Sequence, residues 1–168
     1  MHFDILGRNS ADVVLTVEGE SLEAAVIAAL NRGLSFRATS LAGLQLPRLA
    51  LTTPLCLEEC DLSGMNLTAA DLRGAQLGDS ELPGACLTRA NLAGANLSGT
   101  TLIGADLSGA DLSGADLSGA DLSGADLTRA CLHKCTAAGA DFTGANLTRA
   151  DLGESALCIW LHPRHARF

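Results

Sequence analysis

The chain has 168 residues, a formal net charge of −8 and only 3% aromatic residues, with no tyrosine. That length allows one domain and a small appendage, and Leu, Ala and Gly make up almost half of it. So few rings exclude an irregular core filled by aromatics, 18 glycines are too few for collagen, 48% hydrophobic residues are too many for simple disorder, and the acidic balance argues against a phosphate-backbone binder.

The first residues, Met1-His2-Phe3-Asp4, show no basic n-region and no apolar h-region, so no secretion signal is read. No run approaches the roughly 18 apolar residues of a membrane-spanning helix. The six cysteines then read as reduced thiols, and a cytoplasmic location is expected. Residues 3–6 and 13–18 alternate as two short strands, with a turn over 7–12. Ser21 is placed to cap a helix whose apolar face is Leu22, Ala25, Val26, Ala29 and Leu30, and Gly33 sits at its expected stop. Residues 1–33 are therefore predicted to form a hairpin–helix cap on the rest of the chain.

From Leu57 to Leu132 leucine recurs every fifth residue without a miss. Ala137 and Phe142 interrupt, and Leu147, Leu152 and Leu157 resume. With each such leucine as position i, position i−2 is nearly always small, with Met65 among the exceptions, i−1 is mostly Asp or Asn, i+1 is mostly Ser or Thr, and i+2 is mostly Gly. A helix would rotate successive leucines around its axis, and a flat strand would flip them between faces. The pattern suits short extended segments that turn inward at i and i−2, with glycine in the turns. Many such segments make a solenoid. Its predicted inward core includes Leu107, Leu112, Leu117, Ala105, Ala110, Cys60 and Cys135. Phe36, Leu41, Leu46 and Leu51 keep the same period upstream, so 34–53 reads as a degenerate first coil with one residue inserted near Pro54.

Ala105-Asp106-Leu107-Ser108-Gly109 and its neighbours resemble the pentapeptide-repeat motif A(D/N)LxX over residues 55–154. The resemblance implies an all-β fold, a right-handed quadrilateral parallel β-helix with four pentapeptides per coil, carrying the small N-terminal hairpin–helix cap. On that reading the solenoid spans 34–159 and a short tail spans 160–168. Ile159, Trp160 and Leu161 are expected to cover the last coil, and a homodimer through one end of the solenoid is the alternative.

The chemistry-bearing residues follow the same period. Asp106, Asp111, Asp116, Asp121 and Asp126 form an acidic span without Lys or Arg between residues 90 and 128. Four repeats per coil would stack Asp106 on Asp126 and Asp121 on Asp141. Carboxylates about 4.8 Å apart should repel and raise one another's pKa. Arg89, Arg129 and Arg149 replace Gly at i+2, at separations that are multiples of 20 residues. They are predicted to share one column, a candidate partner-contact line, with Gly109 in the gap and Lys134 at the next corner. The Cys131/His133 and His162/His165 pairs are too sparse for a metal site.

No nucleophile–base pair, phosphate loop or metal motif is present, so no catalytic residue and no cofactor is expected. The expected role is a rigid scaffold or spacer for an unidentified protein partner, without direct nucleic-acid or membrane binding. The resemblance raises a second role, because some family members mimic B-form DNA and protect type II topoisomerases. Five charges over this span fall well below duplex density of about one per 1.7 Å. The leucine replaced by Ala137 is expected to leave a small void or a kink.

Overall fold

The computed structural model describes residues 1–7, 13–34 and 36–154. The turn over 8–12, the apolar cluster at 159–161, Cys158 and the basic tail lie outside the described residues. The chain opens with β1 (His2–Leu6) and β2 (Val13–Glu18), an antiparallel pair in which Phe3 faces Val17 and Asp4 faces Thr16. Helix α1 (Leu22–Asn31) comes next. Ser21 is extended, and its Oγ accepts the Ala24 N–H at 3.2 Å, satisfying a donor that the first turn leaves free. At the other end Gly33 takes φ +72°. Its N–H bonds the Leu30 carbonyl, and the Leu34 N–H bonds that of Ala29. This is a Schellman stop, which needs a left-handed residue there.

The cap is joined to the repeats by backbone and by apolar burial. Gly7 bridges Thr39 antiparallel, and the Ser40 N–H donates to the Leu6 carbonyl at 2.9 Å. Ile5, Val17, Ala25, Val26, Ala29 and Leu30 belong to the same buried cluster as Phe36, Leu41 and Leu44. Asn31 Oδ1 also accepts from the Thr52 N–H and hydroxyl at 3.3 Å.

From Cys56 onward every bridge links residues 20 apart in parallel, from Cys56 with Gln76 to Cys131 with Asp151. Four pentapeptides therefore complete one coil. Each side contributes a single isolated bridge rather than an extended strand, and among the described residues β1 and β2 are the only strands longer than this. The reason is visible in the donors of one repeat. Asp106 donates to Ala85 of the coil before, while Leu107 and Gly109 donate to Asp126 and Thr128 of the coil after. Ala110 closes the turn onto Leu107, and the Ser108 N–H is bound by the Asp106 carboxylate at 2.9 Å. All five N–H groups are thus paired, as buried backbone requires. Asp or Asn recurs at i−1 because its short side chain reaches the N–H two residues on.

The first coil carries one residue too many. Ser40 and Gln45 bridge Asp61 and Asn66, an offset of 21. The Asp71 N–H reaches back to Leu49, yet Gln76 reaches back to Leu55. The extra residue therefore lies between Leu49 and Leu55, at the bend containing Pro54. It leaves an apolar cavity of about 550 Å³ beside the end of α1, lined by Leu30, Leu34, Leu51, Pro54 and Leu55 among others.

Inside the coils the expected positions are buried. Leu107, Leu112, Leu117, Ala105, Ala110, Cys60 and Cys135 are all at most 1% exposed. One inward column substitutes hydroxyls for alanine methyls at Thr39, Ser80 and Thr100, and each donates to a turn carbonyl, Phe36, Leu57 and Leu97 respectively. No kink occurs at Ala137. The Thr136, Ala138 and Ala140 backbone bonds continue the ladder at 2.7–3.1 Å.

Candidate interaction groove

At i+2 the turn residue takes positive φ, the conformation glycine tolerates best. One corner of the coil uses glycine there in every repeat: Gly43, Gly64, Gly84, Gly104, Gly124 and Gly144. Another does not. There Arg48 (φ 58°), Ala69 (54°), Arg89 (56°), Arg129 (60°) and Arg149 (61°) occupy the left-handed position, and Gly109 is the one glycine. Each non-glycine residue in this region costs on the order of 1–3 kcal/mol.

The backbone ladder sets these residues in one line. Arg48 donates to Thr68, Ala69 to Thr88, Arg89 to Ser108, Gly109 to Thr128 and Arg129 to Thr148. Arg89, Gly109, Arg129 and Arg149 line a groove of about 510 Å³ with the hydroxyl residues Thr68, Thr88, Ser108, Thr128 and Thr148. The predicted arginine column is therefore brought together. Arg48 extends it and was not read from the sequence, because the inserted residue sets it 41 positions before Arg89. All four guanidinium groups are on exposed residues, and among the described residues none forms an ion pair. By contrast Arg37 pairs with Glu59 at 2.6 Å, Arg73 with Asp71 at 2.7 Å and Lys134 with Glu154 at 3.4 Å.

The groove hydroxyls are already committed. Thr88 donates to Asp106 at 2.8 Å, Thr148 to Asn146 at 2.7 Å, and Thr128 to Asp126. Among the described residues the arginines are its uncommitted donors. Cys86 sits between Thr68 and Thr88, and their hydroxyls hold its thiol pKa below the ordinary value. Burial pushes the Cys135 thiol up to about 11.

The five aspartates are placed differently. Asp106 and Asp126 share a side, but Asp111 lies over Cys131, Asp116 over Thr136 and Asp121 over Asp141. Successive members turn the four corners, so they girdle the coil and do not converge on one site. The expected upward pKa shift of stacked carboxylates is corrected at Asp106. Burial pushes its carboxyl up, but the Ser108 hydroxyl and N–H and the Thr88 hydroxyl outweigh burial and hold it below the ordinary value. At Asp116 the Ser118 hydroxyl and N–H lower the pKa, and the Thr136 hydroxyl adds to this. Asp106 and Asp116 have each turned to the donors of their own repeat, which favours the charged form. Among the described residues no group of three or more His, Cys, Asp or Glu is placed to hold a metal ion.

The family model for pentapeptide repeats, in eight copies, matches residues 56–89, 90–129 and 125–158. The chain belongs to the pentapeptide-repeat family. Among curated proteins none matches it in sequence. Among solved structures it is similar to the pentapeptide-repeat protein Rfr23 of the cyanobacterium Cyanothece 51142, at 26% identity and a TM-score of 0.56, covering 86% of this chain and 99% of that one. The pentapeptide-repeat protein alr5209 of Nostoc PCC 7120 is 44% identical over 48% of this chain and 62% of its own, at a TM-score of 0.37. QnrB1, a plasmid-mediated fluoroquinolone resistance protein, is 20% identical over 79% of this chain and 78% of its own, at 0.27.

Proposed function

We propose that this pentapeptide-repeat protein is a non-enzymatic scaffold, a right-handed quadrilateral β-helix that holds a protein partner along its arginine groove. The observation that carries the reading is the alignment of Arg89, Arg129 and Arg149 in one groove without ion pairs among the described residues. Exposed arginines without internal partners are the donors that interfaces use most. The 20-residue coil supports the four-sided form, and family membership supports its hand. Mimicry of DNA fits the charges less well, because the aspartates girdle the coil and the arginine column interrupts any continuous acidic face.

Affinity capture from a lysate with the wild-type protein and with an R129E/R149E variant tests the reading. Partners retained by the first and lost by the second are expected, and identical sets would overturn it. Gyrase supercoiling assayed with added protein tests the alternative. No inhibition and no drug protection are expected at micromolar protein.

A further inference from the structure

The groove is chemically selective as well as basic. Along the column the residues alternate in size: Arg48, Ala69, Arg89, Gly109, Arg129. Successive coils are about 4.8 Å apart, so these three arginines recur at about 9.6 Å, with a small residue between each pair. A β-strand presents same-face side chains every two residues, at about 6.7 Å, and does not match. A polyproline II helix advances about 9.3 Å in three residues, and it does match.

We propose that the groove binds an acidic segment in polyproline II conformation, with a carboxylate at every third residue. This rests on the scaffold reading and names the class of its partner. Each carboxylate meets one guanidinium, whose planar fork suits it. The two intervening residues lie over Ala69 or Gly109. Arg149, one coil beyond Arg129, doubles the positive charge at one end and fixes the direction in which the segment lies. A uniform polyanion such as a nucleic acid fits less well, since it carries a charge at every unit while the column from Arg48 to Arg129 offers an arginine only in alternate coils.

The test is fluorescence anisotropy with a labelled peptide of four Glu-Pro-Pro triplets, at low and at moderate salt. The controls are a peptide of the same composition with its glutamates in one block, and single-stranded oligodeoxythymidylate. The variant is R89G/R129G/R149G, which places at each site the residue that Gly109 already shows to be compatible. Wild-type protein should bind the triplet peptide at least about tenfold more tightly than the variant, with salt weakening it. The variant should melt at a higher temperature than wild type, so its loss of binding cannot come from unfolding. Equal binding by both proteins overturns the proposal, as does equal affinity for the blocked peptide or tighter binding of the oligonucleotide. If the peptide fails while the lysate partners still depend on Arg129 and Arg149, the scaffold reading stands and the polyproline class falls.

Discussion

At the scale of single residues, the i−1 side chain stands out, because it finishes the backbone's hydrogen bonding rather than decorating the surface. Asn66, Asn91 and Asn96 bind the N–H two residues on at 3.1 Å, as Asp116 does at 2.9 Å. Asp116→Asn should therefore keep the neutral-pH stability within about 0.5 kcal/mol, while Asp116→Ala should lose about 1 kcal/mol in urea unfolding. Acid separates them further. The folded pKa of Asp116 lies below its ordinary 3.8. Its contribution is present above that value and is lost as pH falls through the folded pKa. Wild type should weaken more steeply than Asp116→Asn below pH 3.8, and parallel acid titrations of stability would count against the assignment. Ala137 is a different kind of residue, buried at a leucine position without disturbing the ladder. Ala137→Leu should gain about 1–2 kcal/mol by filling the space, and no gain would mean that neighbours have already closed it. The period made the stacking of Asp106 on Asp126 legible but not its effect on pKa. Which way a carboxylate turns depends on the donors of its own repeat, and spacing between coils does not report that.

At the scale of elements, the N-terminal unit was legible because capping chemistry is local. Ser21 and Gly33 mark the two ends of α1 by their own geometry, and no knowledge of the solenoid is needed. Gly33→Ala forces a Cβ into φ +72°, although open space surrounds it. It should cost about 1 kcal/mol from backbone strain alone, read as a lower thermal midpoint. Because α1 shares the buried cluster of the first coil, that loss should appear in a single cooperative transition. A separate early transition, with the repeats unaffected, would mean the cap is not coupled to them. The inserted residue was also legible, from the shift of Leu57 against the upstream period, but its consequence was not. Moving Arg48 by one position hid the fourth member of the arginine column, since a multiple of 20 detects only residues on one side of the bulge. The apolar cavity beside Pro54 was hidden for the same reason. It arises where helix and bulge meet, and neither segment's pattern contains the other.

At the scale of the whole molecule, the four sides carry equivalent leucine and alanine positions, so the core fixes a period without fixing which residues share a side. Binding specificity must then come from phase: which repeats lie 20 residues apart. Two deletions separate period from phase. Removing residues 110–114 takes out one complete repeat and leaves every later leucine facing inward. The shortened chain should fold, with unfolding still cooperative, because each coil contacts only its neighbours and the stacking is preserved. Yet Arg129 and Arg149 would move one corner around, out of line with Arg48 and Arg89. Lys134 and Glu154, one repeat further on, would take their places in the column, so affinity for the triplet peptide should fall below that of wild type, though less far than in the arginine-to-glycine variant, which also lacks Arg89. Removing residues 112–114 instead breaks the period, turning Leu117 and its successors out of the core. That chain should lose the cooperative transition of its later coils. Urea unfolding followed by circular dichroism, with anisotropy on the folded variants, reads both effects. If the five-residue deletion binds as wild type does, alignment of the arginines is not what the groove uses. If the three-residue deletion is as stable as the five, the fivefold period is not what holds the core.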